Sequence, residues 1–404
     1  MLGIVLAYAI GNHYGDQRVG IMAAALLAVF PLDAYFASQL MPDLPLGALL
    51  AAAYFLLLRS EASPTRGTVL AILAGLAWGW AYLVKVEAFF FSFVVLAMLL
   101  SKQLGWRNFL VACLTVGTVV AMEHIIYWLA SGDPLLRLHV VTAPGGGGQM
   151  VSEYSAVQLW VFPKAWFLTP YYFGLHYYLL FAALAWTIWK HARPLAPLIV
   201  WVIVFLLWLQ FGGNPFAEDY KVKSHLSRYC NMLNVPMAVL GAFLLVDLYR
   251  RGAAWIGASA TALVLLSAVF LIPFNQLSAE GQVATKRLLD VARDEGHFPL
   301  FLDRVSLGVA SFYLYDEAQA GQLHNLQRHD FKTQDTEVIP PGAVDGYILI
   351  NRGFVNFGYN RYRVTKVTPG DYADQFVVIR TAGNPLPWIS YASARLLRSL
   401  AALI

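Results

Sequence analysis

The sequence predicts an α-helical polytopic membrane protein with a small C-terminal α/β domain outside the membrane. Three observations lead there. Of 404 residues, 59% are hydrophobic and only 13% are charged, whereas a soluble domain carries about 25% charge. The apolar residues fall in runs long enough for membrane helices. Basic residues recur in every second short loop, the pattern expected of cytoplasmic connections.

The candidate spans cover roughly residues 19–36, 44–58, 68–84, 86–100, 108–130, 171–189, 195–211, 226–248 and 253–273. Ahead of them, Leu2 to Ile10 is apolar but lacks a basic leader or a cleavage motif. It reads as the tail of a span whose beginning lies upstream. Arg18, Arg59, Arg66, Lys102, Arg107, Lys190, Arg193, Arg250 and Arg251 mark one set of loops, which the positive-inside rule makes cytoplasmic. The other loops then face outward, at 37–43, 85–87, 131–170 and 212–225, together with the tail after Pro273. This places the protein in a bacterial inner or plasma membrane, with its C-terminal domain extracytoplasmic and membrane lipids around its spans.

The chain divides into a transmembrane part, residues 1–273, and an extracytoplasmic α/β part, residues 274–404. In the second part Ala279–Glu295 reads as an amphipathic helix. Pro299–Val305, Gly346–Ile350, Arg363–Val367 and Phe376–Arg380 read as strands, and Trp388–Ile404 as a last amphipathic stretch. The loop 131–170, with its glycine run Gly145–Gly148, reads as a mobile segment.

Several functions are excluded early. The net charge of +4 is spread over short loops, so nucleic acid is not a partner. Cys113 and Cys230 lie inside apolar runs, which argues against a disulfide framework or a thiolate metal site. There is no nucleotide-binding fingerprint.

The polar residues near span ends are shared unevenly. Asp33, Asp43, Lys85, Glu87, Glu123, His124 and Asp133 all map to the outer half, and His225 and Arg228 join them at the mouth of a later span. A one-sided cluster of costly groups points to an outward-facing polar pocket. A transferase working there, without nucleotides, needs an activated donor embedded in the membrane, such as a lipid-linked phosphosugar. Its leaving phosphate needs cations, for which Lys85, Lys221, Lys223 and Arg228 are candidates. Its incoming hydroxyl needs a carboxylate, for which Asp43 and Glu87 are the candidates and Glu123 a further one. Glu123, His124, His225 and Tyr229 are candidate substrate or metal contacts, and a divalent cation is the candidate cofactor.

Each residue also has a plainer reading. Lys85 suits a snorkelling lysine at a span end, with Glu87 as its partner. Glu123-His124 suits a satisfied intrahelical pair, Arg228 an interfacial anchor and Tyr229 the aromatic belt. Asp33 suits a cap on a helix broken after Pro31.

Gly20 to Pro31, Ser38 and Met41-Pro42-Asp43, followed by a span ending in Arg59, resemble a region of the GT-C polyprenyl-phosphate-dependent glycosyltransferases. That group includes the protein O-mannosyltransferases and the aminoarabinose transferase of lipid A. Gly75-Leu76-Ala77-Trp78-Gly79 followed by Lys85 is similar to the family's glycine-rich span with a terminal lysine. His225-Leu226-Ser227-Arg228-Tyr229 followed by Pro236 resembles its late Arg-Tyr…Pro span. The resemblance implies a GT-C-like fold and a polyprenyl-phosphate sugar donor. It also implies a lipid, glycan or protein acceptor, and inversion at the anomeric carbon by direct displacement. Family members carry the acid usually assigned as base in the first outer loop, which here would precede Met1. Asp43 matches a second-loop acid, implied to be a donor- or acceptor-site residue. Two other readings stand beside this one: a transporter or lipid-handling protein, and an inactive truncated homologue.

Overall fold

The structure, a computed structural model, describes residues 1–36, 42–63, 65–142, 161–168, 173–190, 192–212 and 227–294. Beyond these it describes 296, 298–302, 307, 310–311, 313–325, 327–329, 336–338, 347–349 and 376–377. Two compact units divide the chain, Met1–Ile272 and Pro273–Ile404.

The first unit is a helix bundle. Its leading helices are α1 (Leu2–Tyr14), α2 (Gln17–Ala28), the short α3 (Pro31–Phe36), α4 (Asp43–Ala62) and α5 (Gly67–Val84). A 3-10 turn (Val86–Phe90), α6 (Phe91–Leu100), α7 (Trp106–Ser131), α8 (Leu136–Thr142) and α9 (Val161–Phe167) follow. Then come α10 (His176–Trp189), α11 (Ala196–Phe211), a second 3-10 turn (Ser227–Leu233), α12 (Asn234–Arg250) and α13 (Ala254–Asp294), of which the residues from Pro273 on belong to the second unit. Among the described residues, six helical stretches are long and apolar enough to cross a membrane: Asp43–Ala62, Gly67–Val84, Trp106–Ser131, Arg193–Phe211, Tyr229–Arg250 and Ala254–Leu271. Large side chains such as Tyr54, Phe91, Tyr177, Trp201 and Phe205 fill the interior.

Three expectations change here. The span at 19–36 is broken, because the chain leaves helical geometry at Val29 and restarts at Pro31. A proline offers no amide to continue the ladder, and it disfavours helical geometry in the residue before it. The segment 86–100 is a 3-10 turn plus ten helical residues. The loop 131–170 contains α8 and α9, and α9 packs on α10 by stacking Trp166 on Tyr177, with ring centroids 5.5 Å apart.

Glycines set the closest helix approaches. A Cβ on Gly75 would lie 2.6 Å from the Thr115 side chain and 2.8 Å from the Ala112 carbonyl, and one on Gly79 would lie 2.9 Å from Val119. This Gly-x-x-x-Gly face lets α5 and α7 touch backbone to backbone, the packing that lipid-immersed helices use.

The basic loops meet at one end of the bundle. Asp16 caps α2 by accepting from the Arg18 and Val19 amides, each at 3.1 Å, and pairs with Arg250 at 2.5 Å. Tyr14 bonds Tyr54 and donates to Gln103 at 2.5 Å, and Gln103 in turn donates to the Pro194 carbonyl at 2.8 Å. Asn108 donates to Glu61 at 2.7 Å. The loops marked by Arg and Lys in the sequence therefore share one end, and Asp43 and Lys85 lie at the other.

In the second unit, β1 (Leu300–Leu302), α14 (Tyr315–Gln319), β2 (Leu323–Asn325), β3 (Gln327–His329), β4 (Thr336–Val338), β5 (Tyr347–Leu349) and β6 (Phe376–Val377) follow in order. β2-β1-β5-β6 form a sheet in which every pairing is parallel, and β3 and β4 pair antiparallel. Leu289, Ala292, Leu300, Leu302, Ala310 and Leu314 make its core. Leu300–Leu302, Tyr347–Leu349 and Phe376–Val377 fall within expected strands. Arg363–Val367 and Trp388–Ile404 lie outside the described residues. The helix expected at Ala279–Glu295 is the continuation of α13, which runs 41 residues through Pro273. One proline removes a single backbone donor, a loss that a long helix tolerates where its neighbours compensate.

Because α5 and α7 have no room between them at Gly75, Gly75→Val should destabilise the bundle by ~1–3 kcal/mol. A clear fall in the thermal midpoint of the purified protein checks this. An exposed-face change such as Leu76→Ala should leave the midpoint nearly unmoved.

Candidate functional site

The site begins with two helix ends. Asp43 opens α4 just after Pro42, and its carboxylate stands in the first turn, where the helix dipole favours negative charge. At Lys85 the backbone turns extended (φ −153°, ψ 133°) and α5 stops. The next turn is held down by Trp78, whose indole donates to the Ala88 carbonyl at 2.8 Å. These breaks put the two side chains face to face, with Lys85 Nζ 2.5 Å from Asp43 Oδ1. Asp43 is 0% exposed and Lys85 16%. The Lys85 ammonium also lies 3.9 Å above the Tyr229 ring, a cation–π contact strengthened by burial.

Tyr229 reaches this point from the second 3-10 turn. Gly47 permits its approach, since a Cβ there would stand 3.0 Å from the Asn231 carbonyl. Trp201 donates to the Met232 carbonyl at 3.1 Å and fixes the turn from the other side.

A second buried pair stands beside the first. Arg137 Nη1 donates to Glu123 Oε1 at 2.7 Å, and its Nη2 donates to the Leu83 carbonyl at 3.0 Å. Its guanidinium carbon lies 5.5 Å from the Tyr82 ring centroid. α7 ends at Gly132 (φ 75°), a left-handed position suited to glycine, and the chain turns there into α8. Asp133 steadies that turn, accepting from the Leu135 amide at 2.9 Å and pairing with His139 Nδ1 at 2.7 Å. The hydrogen bond from His139, with the Leu135 amide, holds the Asp133 carboxyl below its usual value.

Deeper in, Asn234 Nδ2 donates to Asp33 Oδ1 at 2.5 Å and reaches Asn231 Oδ1 at 3.5 Å. Next to these groups opens a cavity of about 830 Å³. Its wall is mainly apolar, with Leu2, Ile4, Leu27, Leu44, Val84 and Val235 among its residues. Pro42, Leu44 and Val84, direct neighbours of Asp43 and Lys85, put the ion pair at its edge.

Asp43, Lys85 and Tyr229 come together. Lys85 takes Asp43, not Glu87, as its salt-bridge partner; Glu87 is buried in the turn that follows. Asp33 holds Asn234 across the bundle, a tertiary contact in place of a local cap. Glu123 is engaged by Arg137 rather than by His124. Among the described residues no three His, Cys, Asp or Glu side chains meet as a metal site. Lys221, Lys223 and His225 lie outside the described residues, as does the side chain of Arg228, whose backbone is in the second 3-10 turn. Sequence reasoning missed Arg137, Asn231 and Asn234. Arg137 had one signal, a basic residue in a loop assigned to the acid-rich end.

The fold and site define a multi-pass helical membrane protein with buried ion pairs at one end of its bundle. Residues 1–129 match the family model described as dolichyl-phosphate-mannose-protein mannosyltransferase. The match takes in the Gly20–Arg59 and Gly75–Lys85 motifs, with Asp43, Lys85, Glu87, Glu123 and His124, and ends before the His225–Pro236 motif. Among solved structures, the apo oligosaccharyltransferase of Archaeoglobus fulgidus is similar at 14% identity and a TM-score of 0.43, covering 80% of this chain and 52% of that one. The same archaeal enzyme in complex with an inhibitory peptide and a dolichol-phosphate is similar at 13% identity and a TM-score of 0.42, covering 80% and 51%. The chain thus spans about half the length of the structures it matches. No curated protein matches the sequence.

Removing one partner of a buried ion pair strands the other charge, at a cost of ~3–5 kcal/mol. Lys85→Met should therefore lower the thermal midpoint sharply. Adding Asp43→Asn to it should recover most of the loss, and a fully additive double variant would show that the two groups do not interact.

Proposed function

We propose that the protein is a membrane glycosyltransferase that moves a sugar from a polyprenyl-phosphate carrier to a hydroxyl-bearing acceptor on the extracytoplasmic face. The observation that carries this reading is a coincidence of place. The family match over residues 1–129 falls on the helices that bring Asp43 and Lys85 together beside the apolar cavity.

The chemistry follows from an exchange of partners. In the resting site Asp43 neutralises Lys85. A donor phosphate arriving from the lipid competes for the Lys85 ammonium, and Arg228, Lys221 and Lys223 are the further cations proposed for it. Charge-assisted contacts of this kind strengthen as negative charge builds on the leaving phosphate. The Asp43 carboxylate, exchanged out of its pairing with Lys85, then accepts a proton, and Glu87 is the second candidate acid. The acceptor oxygen attacks the anomeric carbon, the carbon–oxygen bond to phosphate breaks, and the polyprenyl phosphate leaves with the electron pair. The acceptor's proton goes to the carboxylate. One displacement of this kind inverts the anomeric centre. The apolar cavity suits the isoprenoid chain or the body of the substrate. A divalent cation, if bound, would add positive charge at the donor phosphate. A lipid, glycan or protein acceptor is compatible with this site.

Protein reconstituted in liposomes with a radiolabelled polyprenyl-phosphate sugar should release polyprenyl phosphate and label an acceptor. Lys85→Ala and Arg228→Ala should each lower the rate by about 10²-fold or more, the loss typical of a transition-state charge contact. An unchanged rate in Arg228→Ala would remove it from the phosphate site. Movement of the labelled lipid without any covalent product would overturn the transferase reading.

Sidedness has its own check. His139 is exposed at the acid-rich end. A His139→Cys protein in intact cells should react with a membrane-impermeant maleimide added from outside, and protection until lysis would reverse the orientation.

A further inference from the structure

The cavity beside the ion pair has a polar spot that a hydrocarbon chain would not satisfy. Among the described residues, Asp33 and Asn231 are the polar side chains on its wall. Asn231 is 3% exposed, and its Nδ2 has no hydrogen-bond partner among the described residues. Asn234 stands behind, holding Asp33 Oδ1 at 2.5 Å and fixing which way that carboxylate points. An unmade bond on a buried donor is costly, and ligand groups commonly supply it.

We infer that Asp33 and Asn231 form a hydroxyl-recognising subsite for the sugar of the lipid-linked donor, an inference that rests on the transferase reading above. The chemistry selects among ligands. A phosphate would meet the unpaired amide donor but also the Asp33 carboxylate, which repels it. A cation would suit Asp33 and leave the Asn231 amide unsatisfied. An isoprenoid tail would leave the Asn231 amide unsatisfied and would keep water from the Asp33 carboxyl. Neighbouring hydroxyls of a sugar ring donate to a carboxylate and accept from an amide, so they satisfy both at once.

The placement also fits one continuous ligand. Asn231 lies two residues beyond Tyr229, whose ring is under the Lys85 ammonium. Val84 and Leu44, next to Lys85 and Asp43, share the cavity wall with Asn231. A phosphate at Lys85 would therefore carry its sugar toward Asn231. The volume of about 830 Å³ is within the range of sites that enclose ligands of this size.

The test measures binding, so it needs no turnover. The full chain in phosphatidylcholine nanodiscs is titrated with farnesyl phosphate and with farnesyl-phosphoryl mannose, glucose, galactose and arabinose. At least one sugar conjugate should bind about tenfold or more tightly than farnesyl phosphate, the gain expected of a pair of hydrogen bonds in a buried site. Asn231→Leu should abolish that gain while leaving farnesyl phosphate binding unchanged. If Asn231→Leu does not fold, Asn231→Ala carries the same comparison without added bulk. No gain for any sugar, or a gain that survives both variants, would overturn the subsite. Farnesyl mannoside against farnesol repeats the measurement without phosphate. A sugar gain there, with no phosphate binding and no donor turnover, would keep the subsite and sink the transferase reading instead.

Discussion

The Asp43–Lys85 ion pair is the constraint on which the rest of the bundle depends. Two charges withdrawn from water lose several kilocalories per mole of hydration each, and only close mutual contact offsets that loss. Lys85 answers with a 2.5 Å contact to Asp43 and the face of Tyr229. Three separate stretches must therefore end at one point: the start of α4, the end of α5 and the 3-10 turn at Ser227–Leu233. The Gly47 approach and the Trp78 and Trp201 hydrogen bonds serve that convergence. In the transferase proposed above, a phosphate would replace the carboxylate as the partner of Lys85 without exposing the cation to hydrocarbon.

The two ends of the bundle use charge differently. At the end with the basic loops, Arg250 pairs with Asp16 while 52% exposed, and Arg251, just past the end of α12, pairs with Asp247 on that helix. Such exposed pairs contribute at most about 1 kcal/mol and are screened by salt. At the other end Asp43, Glu87 and Glu123 are buried, and the contacts of Asp43 and Glu123 are geometrically specific. Arg137 joins a carboxylate, a helix-end carbonyl and an aromatic ring at once. Burial raises the cost of an error at that end, so the structure there is specified by pairing rather than by solvation. That is the arrangement a reactive site requires, since preorganised charges need no rearrangement when new charge develops.

Beside the pair, the cavity separates two kinds of work. Its apolar wall suits hydrocarbon, and the polar groups at Asp33 and Asn231 suit a headgroup. Asn234, itself out of the wall, decides how Asp33 is presented. An amphiphile bound as proposed would be sorted in one step, because each of its halves is penalised in the other's place.

Hydrophobic run length and loop charge by themselves determined the membrane class, the grouping of the basic loops at one end and the switch to a small α/β unit after the last span. Those are local, additive properties, and solvent reads them residue by residue. Asp43 and Lys85 were also legible, since a charge at a span end is expensive wherever the chain goes. Partner choice was not legible. Sequence proximity suggested Glu87 for Lys85 and His124 for Glu123. The structure assigns Asp43 and Arg137, from 42 and 14 residues away. Asn231 and Asn234 gave no sign in the sequence, where they read as ordinary polar residues in an apolar stretch. Only the folded bundle decides these, because a buried polar group is defined by what packs around it, and helix approach at Gly47, Gly75 and Gly79 sets that packing.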